Sequence, residues 1–199
     1  MKLGFIGTGV IASAVVRGLA GQGHEIRISA RSRARSAALV SEMPEVQIAD
    51  LQDILDHSEV VFLGLMLDTA PEILAALSFP AGLQVVSFMA GADLEQLATL
   101  VAPARAAAVM MPFPGIATGA SAIMALGDAA LLNQIFAPRN TVFGLRDAAE
   151  LDAYLCAQAV LSPVARLTAD AAEWLGTRVS DPAQGEAFLR MLISTSLGQ

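Results

Sequence analysis

Lys2-Leu3-Gly4-Phe5-Ile6-Gly7-Thr8-Gly9-Val10-Ile11-Ala12 opens the chain and decides its fold, together with Ser13-Ala14-Val15-Val16-Arg17-Gly18-Leu19 behind it. The start is a short apolar run, which predicts a buried strand. Gly7 and Gly9 break that run. Ala12 stands where the third small residue of a G-x-G-x-x-G/A fingerprint falls. Val10, Ala14, Val15 and Leu19 then recur at helical spacing. Strand, glycine turn and helix form the context a dinucleotide-binding fingerprint requires. Gly7 permits a turn too tight for a Cβ. Gly9 lets the backbone approach a pyrophosphate, and Ala12 lets the helix pack on the strand. Free N–H groups at the helix start, and the positive end of its dipole, face the phosphates.

The residues that follow strand two decide which dinucleotide. Glu25 to Ala30 reads as that strand. An NAD site would place Asp or Glu about twenty residues beyond the glycines, on the ribose 2′-hydroxyl. The chain instead reads Ser29-Ala30-Arg31-Ser32-Arg33-Ala34-Arg35-Ser36. A 2′-phosphate takes guanidinium and hydroxyl donors. The expected cofactor is therefore NADP, with Arg31 and Ser32 as its clamp. Arg33 and Arg35 read equally well as further partners or as solvated residues at a helix start.

Composition narrows the class. The 199 residues carry a formal net charge of −7, and 55% are hydrophobic. The acidic balance argues against nucleic acid or an anionic membrane as partner. The longest apolar runs, such as Val60 to Leu67, are too short to span a bilayer. The N-terminal run is cut by the glycine turn and does not read as a signal peptide. Cys156 is the single cysteine, so no internal disulfide and no metal site are expected. Cytoplasmic localisation is the expectation. So many apolar side chains point to a homodimer or higher homo-oligomer.

Taken in order, the chain predicts helices over Arg33–Glu42 and Leu51–His57, with a weak strand at Val46–Ile48 between them. Glu59 to Leu67 predicts a fully buried strand ending in a loop, where Asp68 is expected to cap the next helix and Pro71 to sit in its first turn. Leu83–Phe88 and Arg105–Met110 read as strands, with Asp93 capping the helix between them. Ala120–Leu126 and Thr141–Gly144 read as two more, around a helix at Asp128–Phe136. Met111 to Gly119 holds two prolines and two glycines and reads as a rigid, irregular loop. Alternation of this kind predicts an α/β fold, an N-terminal Rossmann-type doubly wound sheet over residues 1–146. Residues 147–199 predict a small C-terminal all-helical domain, with helices at Asp147–Leu161, Pro163–Leu175 and Pro182–Leu197. That length makes little core of its own. His24 and His57 read as turn and helix-end residues.

Several of these stretches resemble the pyrroline-5-carboxylate reductases. They are Gly4-Phe5-Ile6-Gly7-Thr8-Gly9-Val10-Ile11-Ala12-Ser13-Ala14, Val61-Phe62-Leu63-Gly64-Leu65 with Ala70-Pro71-Glu72-Ile73-Leu74, Ser87-Phe88-Met89-Ala90-Gly91 with Leu94-Glu95-Gln96-Leu97, and Val109-Met110-Met111-Pro112. The wider grouping includes the coenzyme F420-dependent NADP oxidoreductases. The resemblance implies NADP over Gly7, Thr8, Gly9, Val10, Ile11 and Ala12, and its 2′-phosphate on Arg31 and Ser32. It implies that Leu65 and Met66, Ala90 and Gly91, and Met111 and Pro112 flank the ribose and nicotinamide. It also implies a helical domain that pairs with a second subunit and completes a pocket for a small-molecule substrate. Ser162-Pro163-Val164-Ala165 is a partial match to the family's turn into a helix. The sequence departs from the family at Met66-Leu67, where a lysine–proline pair belongs, and at Phe113, where Asn belongs. The later serine–proline–glycine-rich motif has no counterpart up to Gln199.

The chemistry expected is hydride transfer to a small imine, whose own positive charge spares the protein a strong general acid. Lys2 is the only lysine, and no catalytic residue is assigned. Tyr154, Cys156 and Ser162 read as pocket-lining or as ordinary helix residues. Arg166 or Arg178 would supply a carboxylate donor. Met66, Met89, Met110 and Met111 read as an apolar nicotinamide pocket or as core filler. Exchange of hydride with a deazaflavin such as F420, and a non-catalytic NADP-binding role, are the alternative readings.

Overall fold

Phe5, Val61, Phe62 and Val86, all fully buried, lie at the centre of one eight-stranded sheet. The computed structural model describes residues 1–197. In chain order the sheet half contains β1 (Lys2–Ile6), α1 (Val10–Leu19), β2 (Glu25–Ser29), α2 (Arg33–Glu42), β3 (Val46–Ala49), α3 (Leu51–His57), β4 (Val60–Leu63) and α4 (Ala70–Leu74). It continues with β5 (Gln84–Ser87), α5 (Leu94–Val101), β6 (Arg105–Pro112), a 3₁₀ turn (Pro114–Ala117), β7 (Ala122–Gly127), α6 (Ala129–Phe136) and β8 (Thr141–Leu145). The strand order is β3-β2-β1-β4-β5-β6-β7-β8. β1 to β6 run parallel, so the order reverses between β1 and β4. Ligands bind at the carboxyl edge beside such a reversal. This is the Rossmann-type architecture that the alternation of strands and helices predicts, with helices after the sheet.

Two apolar layers cover the two faces. α1, α2, α6 and the 3₁₀ turn bury Val15, Leu39, Ile116 and Phe136 on one side. α3, α4 and α5 bury Ile54, Leu74 and Leu97 on the other. Phe62 stacks on Phe5 at 4.8 Å and on Phe88 at 5.4 Å, and meets Phe136 edge-on at 6.1 Å. Aromatic contacts of this kind add to what area burial alone contributes. β4 is buried at every position, as its unbroken apolar run requires.

Three local expectations are corrected, and one strand direction is added. The strand expected over Glu59–Leu67 stops at Leu63. The Gly64 N–H still bonds the Ile6 carbonyl at 2.8 Å, after which the chain turns and Thr69 and Ala70 N–H groups bond the Met66 carbonyl. The apolar character of Leu65 comes from burial in the second layer, not from strand pairing. Thr69, not Asp68, is the residue before α4, and its side chain makes no cap bond. β7 runs antiparallel to β6, because segment 113–121 carries only a 3₁₀ turn and no crossover helix. Finally, the helix expected from Pro163 begins at Leu161. Proline is tolerated there because the first-turn N–H groups have no intrahelical acceptor.

Asp93 does cap α5, in a box with Gln96: the Gln96 N–H donates to Asp93 at 2.7 Å and Gln96 accepts from the Asp93 N–H at 3.4 Å. His57 ends α3, with its ring against Asp53. His24 is half-buried before β2, its Nδ1 has no hydrogen-bond partner, and burial pushes its pKa down.

The described chain divides into two compact units between Leu151 and Asp152, within α7 (Ala148–Gln158). The second unit carries α8 (Leu161–Gly176) and α9 (Pro182–Leu197), packed on each other. Gly185 is buried there, and a Cβ on it would meet Leu175 Cδ2 at 3.2 Å. No residue of α8 is buried within this chain. Leu167, Trp174, Phe188 and Met191 stand 58–68% exposed. No helix among the described residues is long and apolar enough to cross a membrane.

Candidate functional site

The glycine turn lies at the carboxyl end of β1, where the strand order reverses. Gly7 has φ +96, a conformation that favours glycine, and a Cβ there would come within 2.4 Å of the Gly64 carbonyl oxygen. Gly64 in turn approaches Ala12, whose Cβ would stand 3.1 Å from a Cβ on Gly64. Small residues at Gly7, Ala12 and Gly64 thus let α1 start directly on the β1–β4 pair. Gly9 is different. It precedes α1 with φ −69, and a Cβ on it would meet nothing within 4 Å. Its backbone faces open space at a helix N-terminus, which is the cradle a pyrophosphate requires. Val10 is exposed beside it and Ile11 half-buried, while Thr8 and Ala12 are buried.

A cleft of about 600 Å³ adjoins this turn. Gly7, Arg31 and Leu65 from the sequence reading line it, joined by Asp50, Thr69 and Glu72. The last three follow β3 and β4, so only the sheet topology brings them beside β2. Arg31 is exposed and has no hydrogen-bond or ion-pair partner among the described residues. Ser32 caps α2 with its backbone alone, leaving its hydroxyl unused by the helix. Arg33 and Arg35 are exposed on α2 and do not line the cleft. No carboxylate follows β2 directly. Asp50 and Glu72 come from other strand ends of the cleft. A clamp of one guanidinium and one free hydroxyl fits a phosphate monoester, so the residues present fit NADP.

The other expected positions sit along the same carboxyl edge. Met66 is 68% exposed in the turn after β4. Ala90 and Gly91 are exposed after β5, and Gly91 has φ +82. A Cβ on Gly91 would stand 3.8 Å from Leu67, so the β4 and β5 loops meet. Met111 and Pro112 end β6 and are half-buried, whereas Met89 and Met110 belong to the core. In the second unit Tyr154, Cys156 and Ser162 are exposed. Arg166 pairs with Asp170 at 2.8 Å, and Arg178 lies 4.4 Å over the Trp174 ring. The described residues hold no group of three or more His, Cys, Asp or Glu poised for a metal.

The fold is that of a Rossmann-type dinucleotide-binding protein, with helices following the sheet in the chain. Residues 2–91, the part that holds the glycine turn and Arg31–Ser32, match the family described as NADP oxidoreductase coenzyme F420-dependent. In structure the whole chain superposes on 78% of pyrroline-5-carboxylate reductase from Streptococcus pyogenes, with TM-score 0.82 and 23% identity. It likewise covers 78% of the Plasmodium falciparum pyrroline carboxylate reductase with NADP bound, with TM-score 0.80 and 15% identity. A reductive aminase from Aspergillus terreus in complex with NADPH and ethyl-5-oxohexanoate gives TM-score 0.66 at 21% identity. There the match covers 99% of this chain and 73% of the aminase. No curated protein matches the chain in sequence. The resemblance read from the sequence is therefore met in the fold and in the N-terminal segment.

Proposed function

We propose that this protein is an NADPH-dependent reductase of a small imine such as pyrroline-5-carboxylate. The observation that carries the reading is the open glycine turn beside a cleft lined by an unpaired Arg31, with the Ser32 hydroxyl next in the chain and unused by α2. Gly7 to Ala12 hold the pyrophosphate, and Arg31 with Ser32 holds the 2′-phosphate. Leu65, Met66, Ala90, Gly91, Met111 and Pro112 wall the ribose and nicotinamide. Bound NADPH supplies the hydride. The protein's own task is to bind, orient and exclude water, because a protonated imine already carries the positive charge that a general acid would otherwise supply. Support comes from the family match over residues 2–91 and from a fold shared with pyrroline-5-carboxylate reductases and reductive aminases. Hydride exchange with F420 is the second reading, favoured by the description of that same family.

NADPH oxidation with pyrroline-5-carboxylate is the deciding assay. Turnover well above the substrate-free rate is expected. Tight NADPH binding without turnover on this or any other cyclic imine would end the imine reading, and F420 reduction would then be measured.

The exposed apolar side chains of α8 and α9 support a homodimer built through the second unit, in the cytoplasm, where the single exposed Cys156 stays a thiol. Light scattering at micromolar concentration is expected to give twice the chain mass. A stable monomer would refute it.

A further inference from the structure

We infer that three buried hydroxyls, on Thr8, Ser29 and Ser36, are a positioning relay that sets the preference for a 2′-phosphorylated dinucleotide. The inference rests on the NADP reading above. The Gly7 N–H donates to Ser29 Oγ at 2.9 Å. Ser36 Oγ donates to the Ser29 carbonyl at 2.9 Å. Thr8 Oγ1 and Ser36 Oγ stand 3.1 Å apart. Ser36 has a single hydroxyl proton, already committed to the Ser29 carbonyl. Thr8 must therefore be the donor in the Thr8–Ser36 bond. All three residues are buried, at 2%, 1% and 0% exposure, so no solvent competes with these bonds.

The relay joins two phosphate sites. Gly7 and Thr8 belong to the glycine turn that faces a pyrophosphate. Ser29 and Ser36 bracket Arg31 and Ser32, and the Ser36 N–H bonds the Ser32 carbonyl at 2.8 Å. Arg31 and Ser32 have no side-chain anchor of their own. Their distance from the glycine turn is therefore set by the backbone that Ser29 and Ser36 pin to it. A guanidinium pays back its ordering only if the phosphate arrives at hydrogen-bond range. Loosening the relay should thus penalise NADPH more than NADH, although Thr8 and Ser36 do not line the cleft.

Fluorescence titration with NADPH and NADH, on the full chain, tests this. Wild type is expected to prefer NADPH, and Arg31→Ala to cut that preference by about 10- to 100-fold. Ser36→Ala and Thr8→Val should each cut it by about fivefold, and Thr8→Ser should retain it. In the Arg31→Ala background Ser36→Ala should cut it no further, since positioning residues act through the group they position. Equal losses for both cofactors in Ser36→Ala and Thr8→Val, with the preference intact, would overturn the relay and leave the NADP reading standing. If Ser36→Ala does not fold, the Thr8→Val and Thr8→Ser pair decides alone. A wild type that binds both cofactors equally, or an Arg31→Ala variant with unchanged preference, would overturn the NADP reading and the relay with it.

Discussion

Gly7→Ala is expected to destabilise the protein by about 2–4 kcal/mol, whereas Gly9→Ala should change stability by less than about 1 kcal/mol and still weaken NADPH binding at least about tenfold. Two residues apart, these glycines serve different ends. At Gly7 the backbone has φ +96, which costs a side chain roughly 1–2 kcal/mol. The added Cβ also stands 2.4 Å from the Gly64 carbonyl oxygen, which is backbone held beside β1 by the Gly64 N–H bond to the Ile6 carbonyl and cannot swing aside. At Gly9 φ is −69, open to any residue, and the Cβ meets nothing. A methyl there harms only what arrives from outside. Thermal unfolding measures the first effect, and NADPH fluorescence titration of Gly9→Ala measures the second. If Gly9→Ala binds NADPH as tightly as wild type, the pyrophosphate does not lie on this turn.

What the sequence makes legible here is local. The glycine turn shows because steric chemistry, not context, dictates Gly7 and Ala12. β4 shows because a strand covered on both faces must be apolar throughout. The capping box at Asp93 and Gln96 shows because its partners lie three residues apart. What stays hidden depends on which strand ends become neighbours. Asp50, Thr69 and Glu72 line the cleft only because β3 and β4 flank β2 and β1. The Thr8–Ser36 and Gly7–Ser29 bonds span 28 and 22 positions between residues that carry no periodic signal. Ser29 and Ser36 therefore read as part of a basic, hydroxyl-rich stretch, when their hydroxyls in fact point inward. The reversal at β7 is hidden for another reason. Strand direction follows from the connection, and segment 113–121 shows its prolines and glycines without showing that a 3₁₀ turn returns the chain beside β6.

That 3₁₀ turn carries the second large expectation: Gly18→Ala should lower stability by about 2 kcal/mol and the unfolding midpoint by about 4–8 °C. Two effects oppose each other. Alanine inside a helix is favoured over glycine by about 1 kcal/mol, which alone would stabilise α1. Against it, the new Cβ would lie 2.3 Å from the Ile116 carbonyl oxygen and 3.1 Å from its carbon. Both are backbone, and Ile116 is itself fully buried, so the 3₁₀ turn must part from α1. Arg139 resists that parting by donating to the Gly18 carbonyl at 3.4 Å and to the Thr118 carbonyl at 3.2 Å. The overpacking therefore wins. Gly18 lies about 13 Å along α1 from the glycine turn, so the NADPH dissociation constant should stay within about threefold. Met111 and Pro112 directly precede the displaced segment, so the reductase rate should fall more than the affinity. Calorimetry and steady-state kinetics on Gly9→Ala and Gly18→Ala should then give crossed patterns, binding lost without stability in one and stability lost without binding in the other. A Gly18→Ala protein as stable as wild type would mean that helix propensity outweighs the contact, and that the seat of the 3₁₀ turn on α1 yields.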